Sequence, residues 1–415
     1  MSLLYRILFI VALALASPYL FIKALFGKHG IKERFGFIRN RDSSKRLMWF
    51  HAASVGELKV ISSIIPELMK IDGNMEFAVS TTTATGRRRA LELFGADAVI
   101  FLQPLELVHA IRRVIRRLRP EKLVVVETEI WPLMVTVAAN SGVEVDLVNG
   151  RMSQSSFKLY RAVKPLTWRT LRTFNRVLVQ SEADAVRFRS LGAAGCEIVG
   201  NLKYDQALDS GGNGGSLSNI EKGNRLLLVA GSIRKGEYEI FVDLISKSRK
   251  NELDVGFILV PRHMKEIEYV CQLLSNGGIP YRLWKEISDQ VIDLESVLVV
   301  DAMGLLRDFY RLADLAFVGG SLVPIGGHDP LEPAALGKPV LFGPHMGNAR
   351  EAADLLLNSG GAVEVSGTDK LFEFLEFSIK DRQALREKGE LCRIAVLSKS
   401  GASRRTAKIL LGDCE

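Results

Sequence analysis

The sequence predicts an α/β protein of two tandem doubly wound, Rossmann-like domains facing a cleft, preceded by an N-terminal membrane-anchor helix. Three observations predict it: an apolar opening segment, short apolar runs that alternate with longer amphipathic stretches, and a glycine-rich break near the middle of the chain. At about 100–200 residues per domain, 415 residues suit two domains with accessories.

From Leu3 to Phe26 the chain is almost wholly apolar, broken by Arg6, Pro18 and Lys23, and its length approaches the roughly 20 residues of a membrane helix. The small residues of Ala14–Pro18 also suit a cleaved signal peptide, which is the competing reading. Lys23, Lys28, Lys32 and Arg34 lie at or beyond the end of the apolar run whereas only Arg6 lies near its start, so the positive-inside rule favours an anchor with the body in the cytoplasm. Residues 1–30 are the expected anchor, either crossing the bilayer or lying in its interface.

Leu47–His51, Met75–Ser80, Ala98–Leu102, Leu123–Glu127, Val143–Val148 and Val177–Gln180 are the strand candidates of a first sheet. The rhythm restarts with Arg225–Ala230, Val255–Val260, Val297–Val300, Leu315–Gly319 and Pro339–Phe342. Between them Ser210-Gly-Gly-Asn-Gly-Gly-Ser216 is a flexible connector. The expected domains are therefore 31–208 and 223–415, joined by a linker at 209–222, with the last helix free to pack back on the first domain. The formal charge of +8 favours anionic partners, and since no nucleic-acid motif occurs, an anionic membrane surface or a phosphate-bearing ligand is the expected kind. Cys196, Cys271, Cys392 and Cys414 are scattered without metal-ligand spacing and read as reduced structural thiols.

Ligands at such sheets bind beyond the strand carboxyl ends, so the loops there carry the chemistry. The first ends in His51-Ala-Ala-Ser-Val-Gly-Glu57, where Glu57 is either a helix-dipole counter-charge or an acid at the cleft. Thr81–Gly86 with Arg87, Arg88 and Arg89 offers hydroxyls and cations to a phosphate or carboxylate. Glu127-Thr-Glu129 places two carboxylates on one edge, where strand alternation points both the same way; one can tune its neighbour's pKa, or the pair can cap the next helix. Arg112, Arg113, Arg116, Arg117 and Arg119 give a basic helix face, either solvated or turned to anionic headgroups. In the second half Arg262 follows a long apolar strand as a phosphate partner. The Gly319–Leu331 loop offers backbone amides to a phosphate and leads to Glu332, which can accept from ribose hydroxyls. His345 ends the next strand and reads as either a loop histidine or a site residue.

Taken in order, His51–Glu57, Thr81–Gly86, Glu127–Pro132, Gly200–Asp205, Leu259–His263, Ala316–Leu322 and Gly326–Ala334 resemble the sequence blocks of the 3-deoxy-D-manno-octulosonic acid (Kdo) transferases, over nearly the whole chain. The resemblance implies GT-B glycosyltransferase architecture and an inverting, metal-independent transfer from CMP-Kdo onto the lipid A precursor (lipid IVA). The reaction would run at the cytoplasmic face of the bacterial inner membrane, with CMP-Kdo as donor substrate and no cofactor. It further implies Glu57 as general base, Glu127 and Lys203 as stabilisers of the transition state, and CMP contacts at Pro261, Arg262, Met303, Gly304, Leu305, Asp329, Pro330, Leu331 and Glu332. Asp329 stands where the family pattern usually carries asparagine, Leu305 replaces a polar residue, Leu133 an asparagine, and Ile233-Arg234 a Thr-His pair. Those departures put donor affinity in question. The rivals are a transferase with a UDP-sugar donor and a membrane-tethered sugar-nucleotide-binding protein without turnover.

Overall fold

The computed structural model describes residues 30–412 except 96, 210–216, 218–219, 222 and 288–291. The expected anchor and most of the expected linker lie outside these residues. Among the described residues no helix is long and apolar enough to cross a membrane.

The chain divides into two units, Met1–Gln206 with Ser400–Glu415, and Ala207–Lys399. In the first, β1 (Arg46–Ala52), β2 (Met75–Thr81), β3 (Ala98–Leu102), β4 (Lys122–Val126), β5 (Glu144–Gly150), β6 (Arg176–Val179) and β7 (Cys196–Ile198) form one sheet in the order 3-2-1-4-5-6-7. Every pairing is parallel. Parallel strands are joined by crossover helices that cover both faces, which is why β1 is apolar on both sides. Its Met48 and Phe50 enter one core cluster and its Trp49 the other.

In the second unit a two-residue strand β8 (Ile220–Glu221) precedes β9 (Leu226–Ile233), β10 (Val255–Pro261), β11 (Tyr281–Leu283), β12 (Ile292–Asp293), β13 (Val297–Val299), β14 (Leu315–Val318), β15 (Val340–Phe342) and β16 (Ala362–Glu364). Seven of these form a sheet in the order 11-13-10-9-14-15-16, again all parallel, while β8 pairs with β12 alone. All eleven expected strands are present. β7, β11 and β16 were not expected; each is three residues long and lies at a sheet edge, too short for a readable apolar run.

The last helix, Ala402–Leu411, belongs to the first unit. Its Ala402, Ala407 and Leu410 join the core that holds Leu58 and Ile61 of helix Val55–Ile71. Asp205 fixes its start: the buried carboxylate accepts from Gly401 N at 2.5 Å and Ser403 N at 2.8 Å, filling two of the amides that a helix N-terminus leaves open. Arg405 returns the tie by donating to Val199 O at 2.8 Å.

The basic face of helix Val108–Leu118 is largely consumed inside the fold. Arg113 donates to Phe35 O and lies 4.0 Å over the Phe37 ring, Arg117 donates to Ile38 O, and Arg119 donates to Arg41 O. These contacts clamp the strap before β1 onto the helix and leave Arg112 and Arg116 facing solvent. The triple-arginine run is split likewise, since Arg87 pairs with Glu33 at 2.9 Å and Arg89 with Glu92 at 2.8 Å.

Removing the cap at Asp205 leaves the last helix with open, buried amides. Asp205→Ala is expected to cost about 2 kcal/mol and Asp205→Asn, which keeps one acceptor, about half of that, read as a graded fall in the thermal midpoint of the first unit.

Candidate functional site

β1 ends at Ala52, and the chain turns at Ala53-Ser54 into helix Val55–Ile71. Ser54 caps that helix: its Oγ accepts from Glu57 N at 3.2 Å, while the hydroxyl donates to Glu57 Oε1 at 2.6 Å. Ala53 N donates to Glu57 Oε2 at 2.7 Å, which completes a reciprocal capping box over Ser-Val-Gly-Glu. The box locks the side chain, and residue Glu57 keeps only 6% of its surface exposed. Burial drives the Glu57 carboxyl up to about 7 against the pull of its two hydrogen bonds, with the charges of Glu129 and Glu127 adding to the rise. A carboxyl held near neutrality can both accept and release a proton at cellular pH.

Glu127 lies past the end of β4 rather than on it, with φ of 60°, a left-handed conformation that is costly for a glutamate. Strand alternation therefore does not set its direction; the twisted backbone does, anchored by Glu127 N donating to Val148 O of β5 at 2.9 Å. Glu129 is held by Trp131 Nε1 at 3.0 Å, and burial, ahead of the opposing Trp131 bond and the charge of Glu127, raises its pKa. Neither acid caps the next helix. That task falls to Glu106, a buried residue absent from the sequence reading, whose carboxylate accepts from Leu133 N at 2.7 Å and Met134 N at 2.8 Å. Only its position four residues beyond the end of β3 hinted at a loop role.

Behind this cluster His51 is wholly buried, its Nδ1 2.9 Å from Ser80 Oγ, which also accepts from Trp49 Nε1 at 2.8 Å. Burial pushes the imidazole down to about 4, so it is neutral. Its ring packs edge-on against Trp131 and so backs the indole that holds Glu129.

Lys203 opens helix Lys203–Asp209, its N donating to Asn201 Oδ1 at 3.0 Å. The preceding Leu202 N reaches Asn149 Oδ1 at 3.3 Å, and Asn149, at the end of β5, is also left-handed. Successive β5 residues, Val148 and Asn149, thus position Glu127 and the Lys203 loop. No hydrogen bond or ion pair joins Lys203 directly to Glu127 among the described residues.

In the second unit Pro261 ends β10 and is buried, Arg262 is exposed, and Arg262 N donates to Ile233 O at 3.0 Å. Arg234 Nη1 contacts His263 Nε2. Since a guanidinium only donates, that nitrogen of His263 is the acceptor. Burial, followed by the charges of Arg262 and Arg234, drives His328 down to about 4, so two guanidiniums and two imidazoles gather at the ends of β9, β10 and the 319–328 loop. Met303 is 79% exposed and Gly304 takes φ of 87°, which holds that turn open. Asp329 Oδ1 accepts from Leu331 N at 3.0 Å; Pro330 and Leu331 are buried, while Glu332 is half-buried and faces the Arg307 guanidinium. His345 donates its backbone N to Ser321 O at 2.9 Å and its side chain joins none of these groups.

The glycine loop differs from expectation in one respect. The amides of Gly320, Ser321 and Leu322 are not open to a phosphate, because the fully buried Glu237 carboxylate already accepts from all three at 2.7, 2.9 and 3.0 Å. The same carboxylate accepts from Arg234 N at 2.9 Å, tying the loop after β9 to the loop after β14. No motif marks it in the sequence: Glu237 stands at the start of helix Tyr238–Lys250, three residues after Arg234. Gly319 permits the approach: a Cβ there would meet Ser232 O and the Ile233 Cα at 2.5 Å. Of the unusual residues, Leu133 and Ile233 are buried core positions and Leu305 is partly buried against the core, so their apolar side chains fit where they stand. Cys196, Cys271 and Cys392 are free thiols, and Cys414 lies outside the described residues. No group of three His, Cys, Asp or Glu able to hold a metal ion occurs among the described residues.

Two parallel doubly wound units, one with a buried carboxyl poised near neutrality and the other with clustered cations at its loop ends, have the organisation of a GT-B-type glycosyltransferase. The fold is shared with a glycosyltransferase from Rickettsia africae at a TM-score of 0.56 and 14% identity over 90% of this chain and 100% of that one. It is shared equally with the UDP-GlcNAc 2-epimerase of Neisseria meningitidis, at a TM-score of 0.59 and 15% identity over 89% and 100%, so the fold alone leaves the reaction open. The sequence decides the family. Residues 29–206 match the profile of the 3-deoxy-D-manno-octulosonic-acid transferases (kdotransferases). A 3-deoxy-D-manno-octulosonic acid transferase of Chlamydia muridarum is 31% identical over 404 residues, 94% of this chain and 93% of the relative. The chain belongs to the Kdo transferase family.

Between about pH 4.5 and 7 folded Glu57 keeps a proton that the unfolded chain has released, so stability falls as pH rises through that window. Glu57→Gln resembles the protonated side chain and removes the fall. Its thermal midpoint is expected to gain on wild type between pH 5 and pH 8, as measured by calorimetry.

Proposed function

We propose that this chain transfers Kdo from CMP-Kdo onto the lipid A precursor with inversion, without a metal, at the cytoplasmic face of the inner membrane. The observation that carries the mechanism is Glu57, a buried carboxyl in a capping box with a pKa of about 7, in a chain of this family. As general base its carboxylate takes the proton of an acceptor sugar hydroxyl. The oxygen then forms a bond to the anomeric carbon of Kdo, and the bond from that carbon to the CMP phosphate oxygen breaks, its electron pair leaving with CMP.

Glu127 and Lys203 would set the field in which charge develops on the sugar. Arg262 and Arg234 would share the charge of departing CMP, the cationic role resting on side chains because Glu237 fills the loop amides. Met303, Gly304 and Leu305 would face the base, and Glu332 a ribose hydroxyl. Asp329 suits this reading despite its charge: its resolved task is to accept one backbone N–H, which asparagine does equally through Oδ1.

The test is transfer by the purified full chain from CMP-Kdo to tetra-acylated lipid A precursor with a chelator present, followed by mass spectrometry. Wild type is expected to form product and Glu57→Ala to lose at least about 100-fold in kcat, while wild-type kcat/KM rises with pH through about 7 as Glu57 loses its proton. CMP binding without product from the wild type would favour a binding protein; UDP preferred over CMP would favour another donor. Asp329→Asn is expected to bind CMP within about threefold of wild type by calorimetry, the margin of about 0.6 kcal/mol expected when a backbone acceptor is conserved.

A further inference from the structure

After β5 the chain runs through helices Gln154–Ala162 and Lys164–Leu171 before β6. The first buries no residue at all, although Phe157 and Tyr160 lean on the core. A nine-residue helix with no buried stripe lacks the usual source of helix stability. Its apolar side chains are instead turned outward: Leu159 is 66% exposed, Val163 in the junction 45%, and Trp168 of the second helix 38%.

Charge surrounds them with one sign. Lys158, Arg161, Lys164, Arg169 and Arg172 are all exposed, and there is no aspartate or glutamate between Arg151 and Ser181. None of these five cations has an acidic partner among the described residues; Lys164 and Arg172 lie 5.6 and 5.8 Å from the Trp168 ring instead. Exposed aliphatic and indole groups inside a cationic field match a bilayer whose headgroups are anionic, the apolar groups entering the interface while lysine and arginine reach phosphates. An acidic protein surface would satisfy the cations and leave Leu159 and Val163 without a matching apolar environment.

The position gives the surface its use. Tyr160 donates to Thr128 O at 3.1 Å and Thr128 Oγ1 donates to Arg151 O, so both ends of the segment's start are fastened to the residue between Glu127 and Glu129. We infer that helices Gln154–Ala162 and Lys164–Leu171 rest on an anionic lipid surface through Leu159, Val163, Trp168 and their cations, holding the Glu127–Glu129 loop beside the headgroups. The value of that placement for a lipid acceptor rests on the function proposed above; the lipid contact itself does not.

The experiment is tryptophan quenching of the full chain by vesicles of brominated phosphatidylglycerol, with no donor present. Trp49 and Trp284 are buried and Trp131 is partly buried, so Trp168 is the indole that a short-range lipid quencher reaches. Wild type is expected to be quenched, Trp168→Phe to lose that quenching, and Lys158→Glu/Arg161→Glu/Lys164→Glu to weaken it more than tenfold, at roughly fivefold per cation removed. Raising salt toward 1 M should shrink the effect as the Debye length falls to about 3 Å. Equal quenching in wild type and Trp168→Phe, no quenching, or quenching by brominated phosphatidylcholine that matches phosphatidylglycerol and ignores the triple substitution would each overturn the inference. Quenching with no transfer to lipid would retain the docking face and discard the proposed reaction; transfer without quenching would do the reverse.

Discussion

Buried carboxylates that accept backbone amides organise the loops of both units. A parallel sheet presents the starts of its following helices on one edge, and each start exposes N–H groups that need acceptors. Glu106 fills those of helix Pro132–Ala139, Asp205 those of the last helix, and Glu237 those of the 320–322 turn. Each acceptor comes from a different segment from the amides it satisfies, so the carboxylates act as cross-links between loops rather than as local caps alone. Glu237 does most: one side chain sets the relation of Arg234 to the glycine loop that carries His328.

Glu57 is the instructive exception. It sits in a capping box, where only one backbone amide and one hydroxyl face its carboxyl, against four amides on Glu237. Two hydrogen bonds do not offset its burial, and two further glutamates add like charge, so the pKa climbs instead of falling. Glu237 spends its carboxyl oxygens on four backbone amides and so joins two loops, whereas Glu57, with one amide and one hydroxyl, is left as the titratable group.

The left-handed residues at the sheet edges belong to the same design. Glu127, Asn149 and Ser232 take φ of 60°, 54° and 56° at the ends of β4, β5 and β9, each without glycine's freedom. Such strain persists where surrounding hydrogen bonds over-determine it. Val148 O holding Glu127 N, and Asn149 Oδ1 holding Leu202 N, supply that constraint in the first unit.

Sequence alone determined the two-sheet fold, because Leu226–Ile233, Val255–Pro261 and the other central strands are apolar on both faces and leave long runs that only a covered parallel sheet can bury. It also placed Glu57 and Arg262 just beyond strand ends, since a motif there is local, but took Glu127 as the last residue of a strand that ends at Val126. The three-residue edge strands escaped it for want of length, and Glu106 and Glu237 escaped it because their partners lie 27 and more than 80 residues away. The loss of Arg113 and Arg117 to Phe35 and Ile38, and the filling of the glycine-loop amides, are likewise matters of tertiary structure. A residue's type and spacing show what it can bind; which partner reaches it first is settled only when distant segments are packed together.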